Sequence, residues 1–474
     1  MSMDWLLFLP ELVVIVGALA TFACNVSGAS DRVIREVGTW CALGAFATAV
    51  ACLHMSGEPF FPGIYRVDMF SQLLKCGLTL GFFLVLLGSG GQRSVRSDAR
   101  AEVPFVLALA TLGLMLLVSA TELLTLYVAL ELSAYGLYIL SAIGRDPLKN
   151  SEGAAKYVIF GAAASGVTLY GISLIFGAAG TTYIAPIVEM VANGSSPMMS
   201  MGVLLTAVGF LFKLGAVPFH AWVPDVYEAA PHVAVTFIGT ASKLAAVGVF
   251  ARATGWMMGA QVPFTEVLMV LCIASMTLGN LAALAQKDLK RLLGWSTVAH
   301  AGYLLIGFQT LDSVGMSASI FYGLAYLVIA FLPFLVVSVL GADGSNPSLS
   351  SLAGLHQRSP FLAGILLVGV FGLAGIPPTA GFAGKWFLFA AALEKGQFAL
   401  VLIAAVTATV ALYYYLQMVR WAYLEPADDM SPVEIPRGSF LAGIIAAALV
   451  LGAGFLPGPV WTAATEAARA LMAG

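Results

Sequence analysis

Fourteen apolar stretches run the length of this chain, each near the roughly 20 residues that a helix needs to cross the bilayer hydrocarbon. They lie at 4–23, 36–54, 69–88, 103–120, 122–143, 153–178, 199–227, 232–253, 264–285, 290–310, 316–340, 359–394, 397–421 and 438–457. The expected fold is an all-α polytopic membrane protein. Composition agrees, with 60% hydrophobic and 10% charged residues against about 25% charged in soluble domains. A net charge of −3 offers no basic surface for nucleic acid. The five cysteines lack the spacing of a disulfide framework, a zinc site or an iron–sulfur site. Met1 to Trp5 has no basic signal-peptide region, so the first stretch reads as a retained span.

Two stretches exceed a simple span. The seventh contains Lys213-Leu-Gly-Ala-Val-Pro218 and the twelfth Gly375-Ile-Pro377-Pro378. Proline removes a backbone donor and clashes with the preceding turn, so each is expected to be two half-helices around unwound backbone. Inside a bilayer such backbone must be enclosed by protein or face water. With the N-terminus outside, thirteen of the 22 Lys and Arg residues fall on cytoplasmic loops, four outside and five within spans. That positive-inside bias places both termini outside. The broken stretches are five spans apart, which suggests two five-helix repeats, spans 4–8 and 9–13, inverted relative to one another because five is odd. The expected organisation is 1–102 for spans 1–3, 103–255 for the first repeat, 256–424 for the second and 425–474 for span 14 and a tail. Segment 180–198 carries no Lys or Arg and reads as an external connection.

Glu131, Lys213, Lys243 and Lys385 sit inside apolar stretches, where a charge costs roughly 2.5–3.5 kcal/mol on insertion scales and marks a functional site by default. Lys213 precedes Pro218 by five residues, so carbonyls freed by the break and enclosed water lower the cost of its charge. Burial and a neighbouring carboxylate act on a lysine's proton in opposite senses, so moving the carboxylate switches proton affinity. Glu131 is the natural partner; a static ion pair is the plainer alternative. Lys243 lies too deep to snorkel, and Lys385 follows the second break as a mirror of Lys213, with hydrogen bonding to backbone as the alternative for both. Lys156, four residues after Glu152, is either a relay or an ordinary i,i+4 pair. His220, just past Pro218, and His300, in mid-stretch, are either relays or hydrogen-bonded structural histidines. Lys75 and Glu11 show no partner in the sequence and, with Glu122, read as structural or interfacial.

The run Lys213-Leu-Gly-Ala-Val-Pro-Phe-His-Ala-Trp-Val-Pro-Asp-Val-Tyr-Glu228, then Ala230-Pro231 and Ser242-Lys243, resembles the antiporter-like membrane subunits of proton-pumping NADH:quinone oxidoreductase, respiratory complex I. Pro-Asp-Val-Tyr-Glu and Gly375-Ile-Pro-Pro-Thr-Ala-Gly-Phe-Ala-Gly-Lys385 resemble its N type, and a lysine at 385 sets the chain apart from the M type, which has glutamate there. The match runs from Pro10-Glu11 through Lys287-Asp-Leu-Lys-Arg291 and His300-Ala-Gly-Tyr303 to the last spans. The resemblance implies Glu131 as the fifth-helix carboxylate, Lys213 as its seventh-helix partner, Lys243 as the connecting lysine and Lys385 as the terminal group. Lys156 and His300 match a sixth-helix lysine and a tenth-helix histidine. It implies a bacterial inner membrane, no cofactor in this chain, FMN, iron–sulfur clusters and quinone in partner subunits, and M-type and small K-, J-, A- and H-type membrane subunits as neighbours. A subunit of a multisubunit cation/proton antiporter or membrane-bound hydrogenase is the same-fold alternative, and a non-pumping structural subunit is another. Copurification of a flavin and iron–sulfur arm separates the first from complex I.

Overall fold

Where no water reaches the backbone, helices satisfy their own polar groups, and helix dominates the computed structural model, which describes residues 5–61, 63–90, 93–194, 196–258, 264–427 and 429–472. The first helices are α1 (Leu9–Val26), α2 (Asp31–Ala51), α3 (Met69–Gly88), α4 (Val103–Ser119), α5 (Leu123–Ala142) and α6 (Pro147–Ala179). Next come α7 (Ile184–Ala192), α8 (Pro197–Leu214), α9 (Trp222–Ala229), α10 (His232–Gly239), α11 (Ala241–Met258), α12 (Phe264–Ala283) and α13 (Leu289–Gln309). The rest are α14 (Ser313–Leu340), α15 (Leu355–Arg358), α16 (Pro360–Ala374), α17 (Ala380–Glu394), α18 (Phe398–Tyr423), α19 (Arg437–Phe455) and α20 (Gly458–Met472). A hairpin of β1 (Gly57–Phe60) and β2 (Tyr65–Val67) joins α2 to α3.

Side-chain caps fix several starts by satisfying orphan backbone donors. Asp68 and Ser71 form a reciprocal capping box on α3, Glu122 accepts from Leu124 N and Thr125 N ahead of α5, and Asp312 accepts from Gly315 N ahead of α14. The Glu122 carboxylate also accepts from the Thr125 hydroxyl at 2.7 Å.

Among the described residues, twelve helical runs, counting α10 with α11, are long and apolar enough to cross a membrane. The tenth and twelfth sequence stretches correspond to α13 and to the pair α16 and α17. Each half of that pair has 15 residues, about 22 Å of helix, too short for a hydrocarbon core about 30 Å thick. The most apolar windows of α10–α11 and α14 are 100% and 89% buried, whereas those of α2 and α19 are 28% buried. The first two therefore form the interior and the last two the perimeter. From that interior α14 packs on α10, α11, α13, α16, α17, α19 and α20.

Three features of the fold go beyond the sequence expectation. The eighth stretch is interrupted at Thr240, whose φ of −122° and ψ of −87° lie off the helix. Glu11 and Lys75, read as unpartnered, bond each other: Lys75 Nζ is 2.8 Å from Glu11 Oε1, with both side chains fully buried. Tyr65 donates its hydroxyl to the same oxygen at 2.5 Å and accepts from Lys75 at 2.9 Å. The partners stand on α1 and α3, and no local periodicity in the sequence relates them. Finally, the tail folds as α20 against α3 and α14. Removing one member of the buried pair is expected to destabilise the chain by roughly 3–5 kcal/mol, because the other charge is stranded. Replacing both together with apolar side chains, Glu11→Leu with Lys75→Met, should cost much less. Thermal retention of the subunit in detergent-solubilised complex measures this; single variants as stable as wild type would contradict it.

Candidate functional site

The two predicted breaks are present and are built alike. After α8 the chain turns at Gly215 (φ +77°) and after α16 at Gly375 (φ +83°), a left-handed conformation that costs a residue with a Cβ roughly 1–2 kcal/mol. Both contain a cis peptide bond, Val217–Pro218 and Pro377–Pro378. A helix end leaves its last four carbonyls without intrahelical donors. In α8, Leu211 O and Phe212 O accept from Gly215 N, and Phe212 O also accepts from the Trp222 indole at 3.2 Å. In α16, Phe371 O and Gly372 O accept from Gly375 N.

The last two carbonyls at each break are held by a buried lysine. Lys243 Nζ donates to Lys213 O at 3.1 Å and Leu214 O at 3.0 Å. Lys385 Nζ donates to Leu373 O at 2.9 Å and Ala374 O at 3.0 Å. Each ammonium also lies 4.8 Å from an aromatic ring centre, Trp222 for Lys243 and Tyr303 for Lys385. Carbonyl dipoles at a helix C-terminus and a ring face both attract a cation, which explains how these charges are tolerated at membrane depth. The counterpart of Lys385 is thus Lys243, not Lys213 as the sequence positions suggested. Lys243 reaches the first break from α11, just past the Thr240 interruption, whereas Lys385 comes from the second half of its own broken helix.

Lys213 is placed differently. It is 7% exposed and finds one hydrogen-bond partner among the described residues, the Ser133 hydroxyl at 2.8 Å, which itself donates to Leu130 O. Glu131, two residues from Ser133, acts electrostatically on Lys213 but forms no ion pair within 4.0 Å among the described residues. An ammonium has three donors, so Lys213 is less satisfied than Lys243 or Lys385, each of which donates twice. Its own carbonyl, bonded by Lys243, connects the two.

His300 occupies the middle of a hydroxyl network. Its Nδ1 is 2.7 Å from the Tyr322 hydroxyl and its Nε2 3.0 Å from that of Tyr415, which reaches Ser296 at 2.5 Å. Asn280 receives Tyr414 at 2.9 Å and donates to Tyr303, the ring beneath Lys385. Lys385 acts electrostatically on His300. Neutral imidazole offers one donor and one acceptor, and each phenol can serve as either, so the chain can pass a proton by reversing its bonds. Toward the first break, Tyr326 packs on His300 with ring centres 5.0 Å apart and donates to Thr297 at 3.0 Å. Tyr227 packs on Trp222, and its buried hydroxyl faces Thr297 and Tyr326 without reaching hydrogen-bond geometry. Sequence pattern assigns these tyrosines no role; they are scattered over four helices, α9, α13, α14 and α18, and only the fold assembles them.

Lys156 and His220 lie apart from the lysine series. Lys156 is 39% exposed and bonds Glu152 and Asp225 at 2.8 Å each. Arg291 and Lys149 extend this network through Asp225 and Glu228. His220, in the first break, packs on Trp295, and its Nδ1 makes no hydrogen bond among the described residues. Among the described residues, no three His, Cys, Asp or Glu side chains group as a metal would require.

Paired helix breaks, each plugged by a buried lysine, define an antiporter-like membrane subunit. Residues 120–411 match the family model described as NADH:quinone oxidoreductase/Mrp antiporter, transmembrane. A relative described as NADH-quinone oxidoreductase subunit N 2, from Syntrophobacter fumaroxidans, is 41% identical over 474 residues, covering 99% of this chain and 100% of its own. The chain belongs to the NADH-quinone oxidoreductase subunit N family. A chain of the respiratory complex I from Thermus thermophilus with bound aureothin superposes with a TM-score of 0.82 at 32% identity, covering 96% of this chain and 98% of that one. A chain of the Mrp complex from Dietzia sp. gives 0.89 at 21% identity over 99% and 98%, a likeness of fold alone.

Proposed function

We propose that this chain translocates protons within the membrane arm of an NADH:quinone oxidoreductase, with no redox chemistry of its own. The supporting observation is the matched lysine pair, each ammonium seated on the two free carbonyls of a broken helix, with hydroxyls and His300 between them. Quinone reduction in partner subunits, which hold the FMN and iron–sulfur clusters, perturbs the Glu131–Lys213 pair electrostatically. A carboxylate moved toward Lys213 favours its ammonium, and one withdrawn releases the proton. Lys243 takes up the change through the shared helix end, and Tyr227, Thr297, Tyr326 and His300 carry it to Lys385. Lys156 stands at the membrane edge, where it serves access rather than interior relay, and His220 lines the unwound backbone of the first break. The proposed architecture is fourteen spans, two inverted five-helix repeats at 103–255 and 256–424 flanked by 1–102 and 425–474, in a bacterial inner membrane with both termini outside. M-type and small K-, J-, A- and H-type subunits are its proposed neighbours.

Tyr227 gives a test that leaves every charge in place. Tyr227→Phe should slow NADH-driven acidification of vesicles carrying the intact complex by about tenfold, below the 10²–10⁴-fold of a positioned proton-transfer group because the Tyr227 hydroxyl stands outside hydrogen-bond geometry with its neighbours. Unchanged acidification would remove the hydroxyl link between the two breaks.

A further inference from the structure

Six arginines, Arg32, Arg35, Arg93, Arg96, Arg100 and Arg145, line two adjoining spaces, and none of the three lysines of the helix breaks lines either. Arg32, Arg35, Arg93 and Arg100 surround a cavity of about 370 Å³, and the buried side chains of Leu86, Val103 and Val233 make its apolar floor. A second space of about 420 Å³ shares Arg93 and Arg100 and adds Arg96 and Arg145. One carboxylate, Asp31, lines the first space and one, Asp98, the second. Arg32 is engaged with Glu36 and Arg96 with Asp98. Arg35, Arg93, Arg100 and Arg145 have no ion-pair partner among the described residues. Alongside runs the outward face of α2, with Val33 and Trp40 45% and 70% exposed.

Arg100 and Arg145 each donate to a backbone carbonyl, of Val95 and Asp343, which leaves their charge uncompensated. Guanidinium groups without a carboxylate partner above an apolar floor, beside an apolar helix face, suit an occupant that is anionic at one end and hydrocarbon at the other. We propose that this cavity seats the phosphate headgroup of an anionic phospholipid whose acyl chains lie along α2. The guanidinium fork matches phosphate oxygens bidentately, and basic pockets between transmembrane helices suit such headgroups. Inorganic phosphate would use the arginines but leave the apolar floor and the α2 face uncovered.

The test uses the intact complex, stripped of loose lipid and re-equilibrated with vesicles of phosphatidylglycerol or of phosphatidylcholine, with retained lipid measured by mass spectrometry. Wild type is expected to retain one more phosphatidylglycerol per complex than the triple variant Arg35→Gln/Arg93→Gln/Arg100→Gln, with phosphatidylcholine equal in both. Arg93→Gln alone, at an exposed position, should lose part of that retention should the triple variant assemble poorly. Equal retention of phosphatidylglycerol in wild type and variants would overturn the proposal. So would displacement of the lipid by inorganic phosphate, which would make this a free-anion site. Loss of a neighbouring subunit from the Arg93→Gln complex would likewise overturn it, by giving the arginines to a protein partner.

Discussion

Lys213→Ala is expected to leave an assembled complex whose coupled quinone reduction falls by about tenfold or more, since a positioned proton-transfer group typically contributes 10²–10⁴-fold. Among the described residues the side chain has a single hydrogen bond, to Ser133, so its loss strands little else and the effect reads on chemistry rather than folding. Lys213→Arg should be nearly as damaging, because a guanidinium keeps its charge but scarcely releases a proton. Glu131→Gln should resemble Lys213→Ala, and the double variant should be less impaired than the product of the two, as for members of one network. Steady-state NADH:quinone rates on the three single variants and the double variant decide this. Losses that simply multiply would separate the two residues, and full activity in Lys213→Arg would leave a fixed-charge role.

A second large effect is expected at the first break. Lys243→Met removes the donor to Lys213 O and Leu214 O, and each carbonyl left unpaired in the interior costs roughly 1–3 kcal/mol. Both subunit stability and coupled activity should therefore drop. Gly215→Ala reaches the same site without touching the lysine: a Cβ there would lie 2.8 Å from Val223 Cγ2 and 3.0 Å from Lys243 Nζ, at a φ of +77°. It should displace the ammonium and reduce the rate. A structure of the Gly215→Ala complex with Lys243 unmoved, together with normal turnover, would contradict this reading of the break.

Much of this arrangement is legible in the sequence because membrane depth makes each departure from apolarity informative. Length alone marks the spans, and Gly-x-x-Pro and Gly-x-Pro-Pro inside two of them mark the breaks. The interruption at Thr240 is not legible in that way, since Gly239-Thr240 carries no proline to force it. Neither is the pairing of Glu11 with Lys75, nor the Tyr322–His300–Tyr415 chain, because both depend on which faces of distant helices meet. Sequence symmetry between the breaks also misleads over Lys385. Its position relative to the proline points to Lys213, whereas its bonds to the last two carbonyls of α16 match those of Lys243 on α8. Lys156 illustrates the reverse case: the i,i+4 pair with Glu152 is evident from spacing, but Asp225 joins it from α9 only in the fold.

The most direct measurement is the number of protons taken up per NADH oxidised by sealed vesicles carrying the complex, compared between wild type and Lys385→Met. Lys385 ends the series and is bonded within this chain to Leu373 O and Ala374 O, so its loss should lower turnover and the proton count together while the electron-transferring arm stays intact toward an artificial acceptor. An assembled Lys385→Met complex with the wild-type rate and the wild-type number of protons per NADH would contradict proton movement through this chain.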